Sequence, residues 1–197
     1  MKVAIIGRGN VGSTLGSGFR SAGHEVWFGV RQPEEVSDAI SIEEAISRGE
    51  VVLLATPWKA AGAIVANHPA LAGKTIVDCT NPIGPGFELA VGHSTSGIEE
   101  LAKSAPDAHF VKAFNTTGFE NMANPDYAGQ ALTMFLCGDH AESNEKVAQL
   151  CRDIGFDPLI TGPLRHARYL EPLAMLWIEM ALKYGHGRSM GLKMLNR

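Results

Sequence analysis

Short apolar runs alternate with amphipathic stretches through the first two-thirds of the chain. The runs carry little charge, which is typical of strands buried on both faces of a parallel sheet. Between them apolar residues recur at helical spacing, as at Val11, Leu15 and Phe19. This alternation predicts an α/β fold, a Rossmann-like doubly wound parallel sheet. The predicted strands lie at residues 3–7, 25–29, 51–55, 75–78, 109–114, 132–137 and 158–160.

The same pattern predicts a division of the chain near residue 162. Residues 1–162 are expected to form the Rossmann domain, and residues 163–197 a short helical segment that packs on it or on a dimer partner. The last helix carries an apolar stripe at helical spacing, which indicates core or a dimer face rather than a ligand site. On this helix, Arg168 and Glu171 are spaced to form an exposed i,i+3 pair. Arg168 is kept as a weaker site candidate.

Local signals set the limits of several elements. Two S-x-x-E capping boxes, at residues 41–44 and 96–99, predict helix starts. Residues 32–39 are too few for a complete strand–helix unit, so the third strand is predicted to be vestigial. Residues 82–95 show no period, and a loop of that length is usually functional or disordered.

A glycine-rich loop follows the first predicted strand and opens the first predicted helix, at residues 10–22. Its pattern is G-x-G-x-x-G. Gly7 would make the tight turn, Gly9 would let a pyrophosphate approach the backbone, and Gly12 would let the helix pack closely on the strand. The phosphates would lie at the positive, hydrogen-bond-donating end of that helix. The motif in this context predicts dinucleotide binding.

The end of the second strand indicates which dinucleotide the protein binds. NAD enzymes place an acid there to accept a hydrogen bond from the ribose 2′-hydroxyl. Here the turn places Val30 and Arg31 against the nucleotide, and no acid occurs before Glu34. Arg31 is positioned to grip a 2′-phosphate, and Arg8 in the glycine loop could reach the same group, since guanidinium groups match phosphate oxygens. The sequence therefore favours NADP over NAD.

Other strand ends should converge on the same cleft, because ligands bind beyond the carboxyl ends of strands in such sheets. Two sets of residues are expected there. The first would flank the pyrophosphate and the nicotinamide ribose, and the second would orient the ribose or the carboxamide. The first set is Thr56, Pro57 and Trp58, and the second is Asn81, Asn115 and Thr116. For Trp58, contact with the cofactor is one interpretation, but an aromatic residue that opens a helix more often packs against the protein.

Lys112 lies just inside a strand end and has two interpretations: a residue at the rim, which is favoured, or a buried acid with a depressed pKa. No nucleophile–base pair or carboxylate pair accompanies the strand ends. Hydride transfer needs none, because the cofactor carries the chemistry and the protein positions it. The site residues are therefore predicted to bind and orient rather than to catalyse.

Composition excludes several classes of function. The net charge of −4 gives no reason to expect nucleic acid or an anionic membrane as a partner. No apolar run approaches the length of a membrane span, and the start of the chain reads as a folded strand rather than a signal peptide. Three scattered cysteines indicate reduced thiols in a cytoplasmic protein. The spacing of His and Cys predicts no metal site.

Five segments together resemble the deazaflavin-dependent NADP oxidoreductases, the family of NADPH:coenzyme F420 oxidoreductase and its bacterial relatives. They are GRGNVG (7–12), GVR (29–31), ATPW (55–58), VKAFNTTG (111–118) and GPLRHARYLEPLAMLW (162–177). The last two are far more specific than the glycine loop. The cytosolic domain of the six-transmembrane metalloreductases, which uses NADPH with a flavin, is similar.

The resemblance implies an NADP-binding Rossmann domain, a small C-terminal portion and commonly a homodimer. It also implies that Gly7, Gly9, Asn10, Val11 and Gly12 hold the phosphates, that Arg31 holds the 2′-phosphate, and that a flavin-like ring stacks near Pro57, Asn81 and residues 115–118. Two features depart from the deazaflavin enzymes: the glycine loop is one residue shorter, and Val30 stands where a hydroxyl residue is usual. The resemblance therefore implies NADP(H) as the cofactor of this chain, while coenzyme F420, FMN and FAD stay open as co-substrates.

The favoured function is an NADP(H)-dependent oxidoreductase that transfers a hydride between NADPH and a flavin or deazaflavin. Two other functions are kept as alternatives. One is an NADPH-dependent dehydrogenase or imine reductase of a small substrate; such enzymes carry a large helical domain after the Rossmann unit, and only some 35 residues follow Gly162 here. The other is a non-catalytic NADP(H)-binding sensor. A sensor would bind both forms of NADP but would not pass electrons to an acceptor.

Overall fold

The computed structural model describes residues 1–197. Its strands are β1 (Lys2–Ile6), β2 (Glu25–Val30), β3 (Ala39–Ser41), β4 (Val51–Leu54), β5 (Thr75–Asp78), β6 (His109–Lys112), β7 (Asp126–Tyr127), β8 (Gln130–Ala131), β9 (Thr133–Gly138) and β10 (Asp157–Ile160). Its helices are α1 (Asn10–Ser21), α2 (Ile42–Arg48), α3 (Trp58–Asn67), α4 (Gly97–Ala102), α5 (Phe119–Ala123), α6 (Ala141–Asp153) and α7 (Ala167–Leu182).

Eight of the strands form one sheet in the order β10-β9-β6-β5-β4-β1-β2-β3. The chain proceeds from β1 to β2 and β3 on one side, then crosses back to β4, β5 and β6 on the other. The crevice between β1 and β4 is therefore the switch point at which such sheets bind ligands. The Rossmann-like α/β fold is confirmed.

One detail of the sheet differs from the prediction. β9 runs antiparallel to β6, and β10 is parallel to β9, so the last two strands run against the other six. The apolar runs predicted where strands lie but not their directions, because a strand buried on both faces looks the same in either direction. β3 is short, as predicted, and pairs with the edge of β2 over three residues.

The alternation of side chains along β1 divides the core in two. Val3 and Ile5 face the layer of α1 and α6, whereas Ala4 and Ile6 face the layer of α2, α3, α4 and α7. All four side chains are fully buried. The sheet thereby holds the glycine loop rigidly at the carboxyl end of its central strand.

At both predicted capping boxes the serine caps the helix start. The hydroxyls of Ser41 and Ser96 accept hydrogen bonds from the backbone N–H of Glu44 and Glu99, at 3.1 Å and 3.4 Å. Residues 82–95 form an irregular loop with a single bridge between Ile83 and Leu89. None of the helices is both long and apolar enough to cross a membrane.

Candidate functional site

The glycine loop is built by two close backbone approaches. Gly7 adopts φ +105°, and a Cβ there would meet the carbonyl oxygen of Ala55 at 2.6 Å. A Cβ on Gly12 would meet the carbonyl oxygen of Gly7 at 2.2 Å. At Gly9, in contrast, a Cβ would meet nothing within 4 Å. The loop is therefore closed against the protein at Gly7 and Gly12 and open outward at Gly9.

Helix α1 begins directly after Gly9, and no side chain caps its first turn. Its first N–H groups have no intrahelical partners and carry the positive end of the helix dipole. The open space at Gly9 adjoins this end. Space and uncapped donors together fit a bound diphosphate, as the motif predicted.

A cleft of about 570 Å³ opens from the loop toward β2 and α3. Half of the residues predicted for the site line it: Gly7, Arg8, Gly9, Val30, Arg31, Thr56 and Pro57. Its far wall is a face of α3 that the sequence interpretation did not include, formed by Ala60, Ala63, Ile64, Asn67 and the following His68. Helical spacing of these residues was the signal that could have identified this wall.

The two arginines that line the cleft, Arg8 and Arg31, differ in the contacts that their guanidinium groups make. Arg31 is exposed and lines the cleft beyond β2, and it takes part in no ion pair. Arg8 lies over the ring of Phe28, with 4.9 Å between the guanidinium carbon and the ring centroid, and 3.8 Å from a carboxylate oxygen of Asp38. Arg31 is thus the guanidinium free to meet an anion.

Sequence reasoning missed two acidic residues near this end. Asp38 is held chiefly by Arg20, at 2.5 Å, and this hydrogen bond keeps the pKa of the Asp38 carboxyl below its ordinary value. Glu35 lines the cleft and accepts a hydrogen bond from Gln32. Both residues lie in the connection between β2 and β3, where spacing along the sequence does not indicate which side chains face the cleft.

Asn81 and Asn115 form an amide pair at the ends of β5 and β6. The Asn81 amide nitrogen donates to the backbone carbonyl of Asn115, and the Asn115 amide nitrogen donates to Asn81 Oδ1, both at 3.1 Å. The Asn115 nitrogen also donates to the carbonyl of Leu170 at 3.2 Å. Asn115 Oδ1 is buried with no partner. A buried acceptor without a donor at a strand end suits the amide of a ligand.

Asn81, Asn115 and the other predicted residues lie outside the lining of the cleft. Trp58 starts α3, packs into the core and donates its indole N–H to the carbonyl of Gly97 at 3.3 Å, which favours the packing interpretation. Thr116 is buried beside Asn115. Asn10 and Val11 occupy the first turn of α1. The hydroxyl of Thr56, in the cleft, is a second buried polar atom without a partner.

The comparisons with known proteins agree with this geometry. Residues 2–82 match the model of the family described as NADP oxidoreductase, coenzyme F420-dependent. The resemblance stated from the sequence is confirmed.

Individual relatives extend the likeness along the whole chain. The F420-dependent NADP reductase of Methanothermobacter thermautotrophicus is 26% identical, with 100% of this chain and 95% of that protein covered. A crystal structure from Arthrobacter sp. FB24, of a protein provisionally named an F420-dependent NADP-reductase, superposes with a TM-score of 0.91 at 27% identity and covers 100% of both chains.

The rat metalloreductase STEAP3 is 31% identical over 89% of this chain. The chain spans only 37% of the length of that relative. The relatives of this chain thus include both an F420-dependent NADP reductase and a metalloreductase.

The two segments that carry the family resemblance most specifically meet in a buried ion cluster. Lys112 Nζ lies 2.8 Å from Asp78 Oδ2 and 2.9 Å from Glu171 Oε1, and donates to the carbonyl of Thr80 at 2.6 Å. All three charged side chains are 0% exposed. The favoured prediction, a rim position for Lys112, is wrong, because two carboxylates from elements distant in sequence allow the ammonium to be buried.

The alternative of a depressed pKa is wrong as well. Burial by itself would lower the pKa of Lys112, but the carboxylates of Asp78 and Glu171 outweigh it and raise the pKa above its ordinary value. Lys112 is therefore a buried ammonium that donates to Asp78 and Thr80 and forms an ion pair with Glu171. It is a structural cation and not an acid with a depressed pKa.

The predicted pairing of Arg168 with Glu171 is also wrong. Arg168 pairs with Glu99 on α4 at 2.7 Å, whereas Glu171 turns inward and accepts hydrogen bonds from the backbone N–H of Gly97 and Ile98 at 2.7 and 3.3 Å. Helical spacing permits the exposed pair, which is worth only a few tenths of a kcal/mol. The contacts that Arg168 and Glu171 make with α4 are more favourable than this exposed pair.

Proposed function

We propose that this protein is an NADP(H)-dependent oxidoreductase that transfers a hydride between NADPH and a flavin or deazaflavin. The adenosine half of NADP(H) would occupy the cleft beside Arg31, and the diphosphate would lie over Gly9. The nicotinamide would extend past Thr56 and Pro57 toward the Asn81–Asn115 pair. One observation carries the proposal: a cleft open at Gly9 and the start of α1 ends at Arg31, a guanidinium with no carboxylate partner.

NADPH, when bound, supplies the hydride. The residues of the chain bind and orient. Arg31 meets the 2′-phosphate, the first N–H groups of α1 hold the diphosphate, and Asn115 Oδ1 offers an acceptor to the carboxamide. Arg8 lends a second positive charge at the adenosine end, although it shares Asp38 with Arg20.

The acceptor is proposed from the relatives. A family described as coenzyme F420-dependent and a metalloreductase relative both support a small redox acceptor, with coenzyme F420, FMN or FAD as candidates. We also propose a homodimer, supported by the exposed apolar residues Tyr169 and Leu176 on α7 (70% and 55% exposed). Three buried free thiols support a cytoplasmic location.

The test is a comparison of NADPH with NADH in wild type and Arg31→Ala. Binding is measured by nicotinamide fluorescence, and oxidation at 340 nm with FAD, FMN, riboflavin, coenzyme F420 and ferric chelates. A charged hydrogen bond to phosphate is worth about 1.5–3 kcal/mol. We therefore expect Arg31→Ala to weaken NADPH binding by about 10- to 150-fold and to leave NADH binding nearly unchanged.

Arg152→Ala is the matched control. Arg152 is exposed on α6, on the other face of the sheet, and pairs with Glu145. It should change binding of neither nucleotide. Equal losses of NADPH and NADH in Arg31→Ala would contradict the assignment of the 2′-phosphate. Tight NADPH binding without oxidation by any acceptor would favour the sensor.

A further inference from the structure

The buried ammonium of Lys112 organises both strand ends that carry the amide pair. It donates hydrogen bonds to Asp78 and to the carbonyl of Thr80, and it forms an ion pair with Glu171 at 2.9 Å. Asp78 Oδ1 in turn accepts the backbone N–H of Thr80 at 2.9 Å. The main chain of Thr80 is thus held on both sides by the ion cluster.

The next residue along that strand end is Asn81. Its partner Asn115 lies three residues beyond Lys112 in the other strand end. From α7, Leu170 accepts a hydrogen bond from Asn115, and the adjacent Glu171 binds Lys112. The cluster therefore fixes Asn115 from β5, β6 and α7 at once.

This arrangement leaves the Asn115 amide with one group unused. Both bonds made by its nitrogen are to protein, at 3.1 and 3.2 Å, and its oxygen has no partner. An amide held only at the nitrogen end presents its oxygen in one direction. A side chain whose orientation is fixed in advance binds a ligand without further loss of rotamer entropy.

We propose that Glu171 and Lys112 are positioning residues that hold Asn115 Oδ1 as an acceptor for the nicotinamide carboxamide. The inference rests on the proposed function and adds a residue from the C-terminal helix to the site. It assigns a role to the glutamate of the GPLRHARYLE segment, which touches neither the cleft nor the glycine loop. Glu171 would act through Lys112 and Asn115 and would not contact the cofactor.

The experiment compares two ligands that share one half. NADPH contains the nicotinamide, whereas adenosine 2′,5′-bisphosphate contains only the adenosine and 2′-phosphate portion. Both dissociation constants are measured by calorimetry on Glu171→Gln. We expect the bisphosphate to bind as in wild type and NADPH to bind about three- to tenfold more weakly, the equivalent of one lost neutral hydrogen bond.

The matched control is Glu99→Gln. It makes the same substitution and breaks the ion pair of α4 with Arg168 of α7, without touching either strand end. It should bind both ligands as in wild type. If Glu171→Gln does not fold, Asp78→Asn makes the same charge change on the other side of the ammonium and replaces it.

A double-mutant cycle with Asn115→Ala separates positioning from general destabilisation. If Glu171 acts through Asn115, Glu171→Gln adds no further loss of NADPH affinity once Asn115 is alanine. Additive losses, or equal losses of both ligands, would overturn the inference. Failure of the wild type to bind either ligand would instead refute the proposed function, and the inference with it.

Discussion

Lys112→Met is expected to lower the stability of the fold strongly. Methionine matches the unbranched lysine chain closely, so the change removes the ammonium and leaves no large cavity. Asp78 and Glu171, both 0% exposed, would then be buried carboxylates without a cation. Removing one partner of a buried ion pair costs about 3–5 kcal/mol. The carbonyl of Thr80 would also lose its partner.

The loss should depend on pH. In the wild type the pKa of Lys112 is raised, so the ammonium contributes below its unfolded value of about 10.4 and is lost only at more alkaline pH. In Lys112→Met, protonation of a buried carboxyl removes a charge that burial penalises. The folded variant then binds more protons than the unfolded chain, so its stability relative to wild type falls as pH rises. The destabilisation should be larger at pH 8 than at pH 5.

Urea unfolding followed by tryptophan fluorescence and circular dichroism measures both effects. With an m-value of about 2–3 kcal/mol/M, the midpoint should fall by about 1–2 M at pH 8. Lys183→Met is the control, because Lys183 is 63% exposed and pairs only with Glu179 on its own helix; it should change stability by less than about 0.5 kcal/mol. A loss below about 1 kcal/mol in Lys112→Met, equal at both pH values, would refute the reasoning.

Three further predictions concern two glycines of the glycine loop and the cysteine thiols. Gly9→Ala should cost less than about 1 kcal/mol in urea unfolding, because nothing lies within 4 Å of the added methyl, yet it should weaken NADPH binding about tenfold or more. Gly12→Ala should lower stability as well, since its methyl would lie 2.2 Å from the carbonyl oxygen of Gly7; unchanged stability would contradict this packing. The thiols of Cys79, Cys137 and Cys151 should not react with a disulfide reagent until the protein unfolds, because they are buried and burial raises the pKa of Cys137 to about 12; reaction of the native protein within minutes would show that they are accessible.

Features encoded within a few residues were predictable from the sequence. The glycine loop, the two serine caps and the short third strand each depend on neighbours along the chain, so their patterns carry the geometry with them. Arg31 belongs to this group, because its place follows from the end of β2. The direction of β9 does not, since it depends on which edge of the sheet the strand joins.

Lys112 shows why the ion cluster behind the Asn81–Asn115 pair could not be predicted. A lysine in a strand is rarely buried, and the rim was the better expectation without knowledge of its partners. Asp78 lies 34 residues away and supplies one carboxylate, and Glu171 comes from a helix beyond the last strand. No periodicity links three such positions. The proposed adenosine end of the site thus depends on residues close together in the sequence, whereas the proposed nicotinamide end depends on contacts between distant elements.

This division of the site bears on how relatives can differ. Loop substitutions at Arg31 would alter the choice of nucleotide while leaving the core unchanged, because Arg31 is exposed and unpaired. The Asn115 end is less free, since any change there must keep a buried ammonium and two carboxylates satisfied together. A redox acceptor that approaches the nicotinamide therefore meets the more constrained half of the site. Differences in acceptor among the homologues are then expected in the irregular loop of residues 82–95, which leaves β5 directly after Asn81, rather than in the amide pair itself.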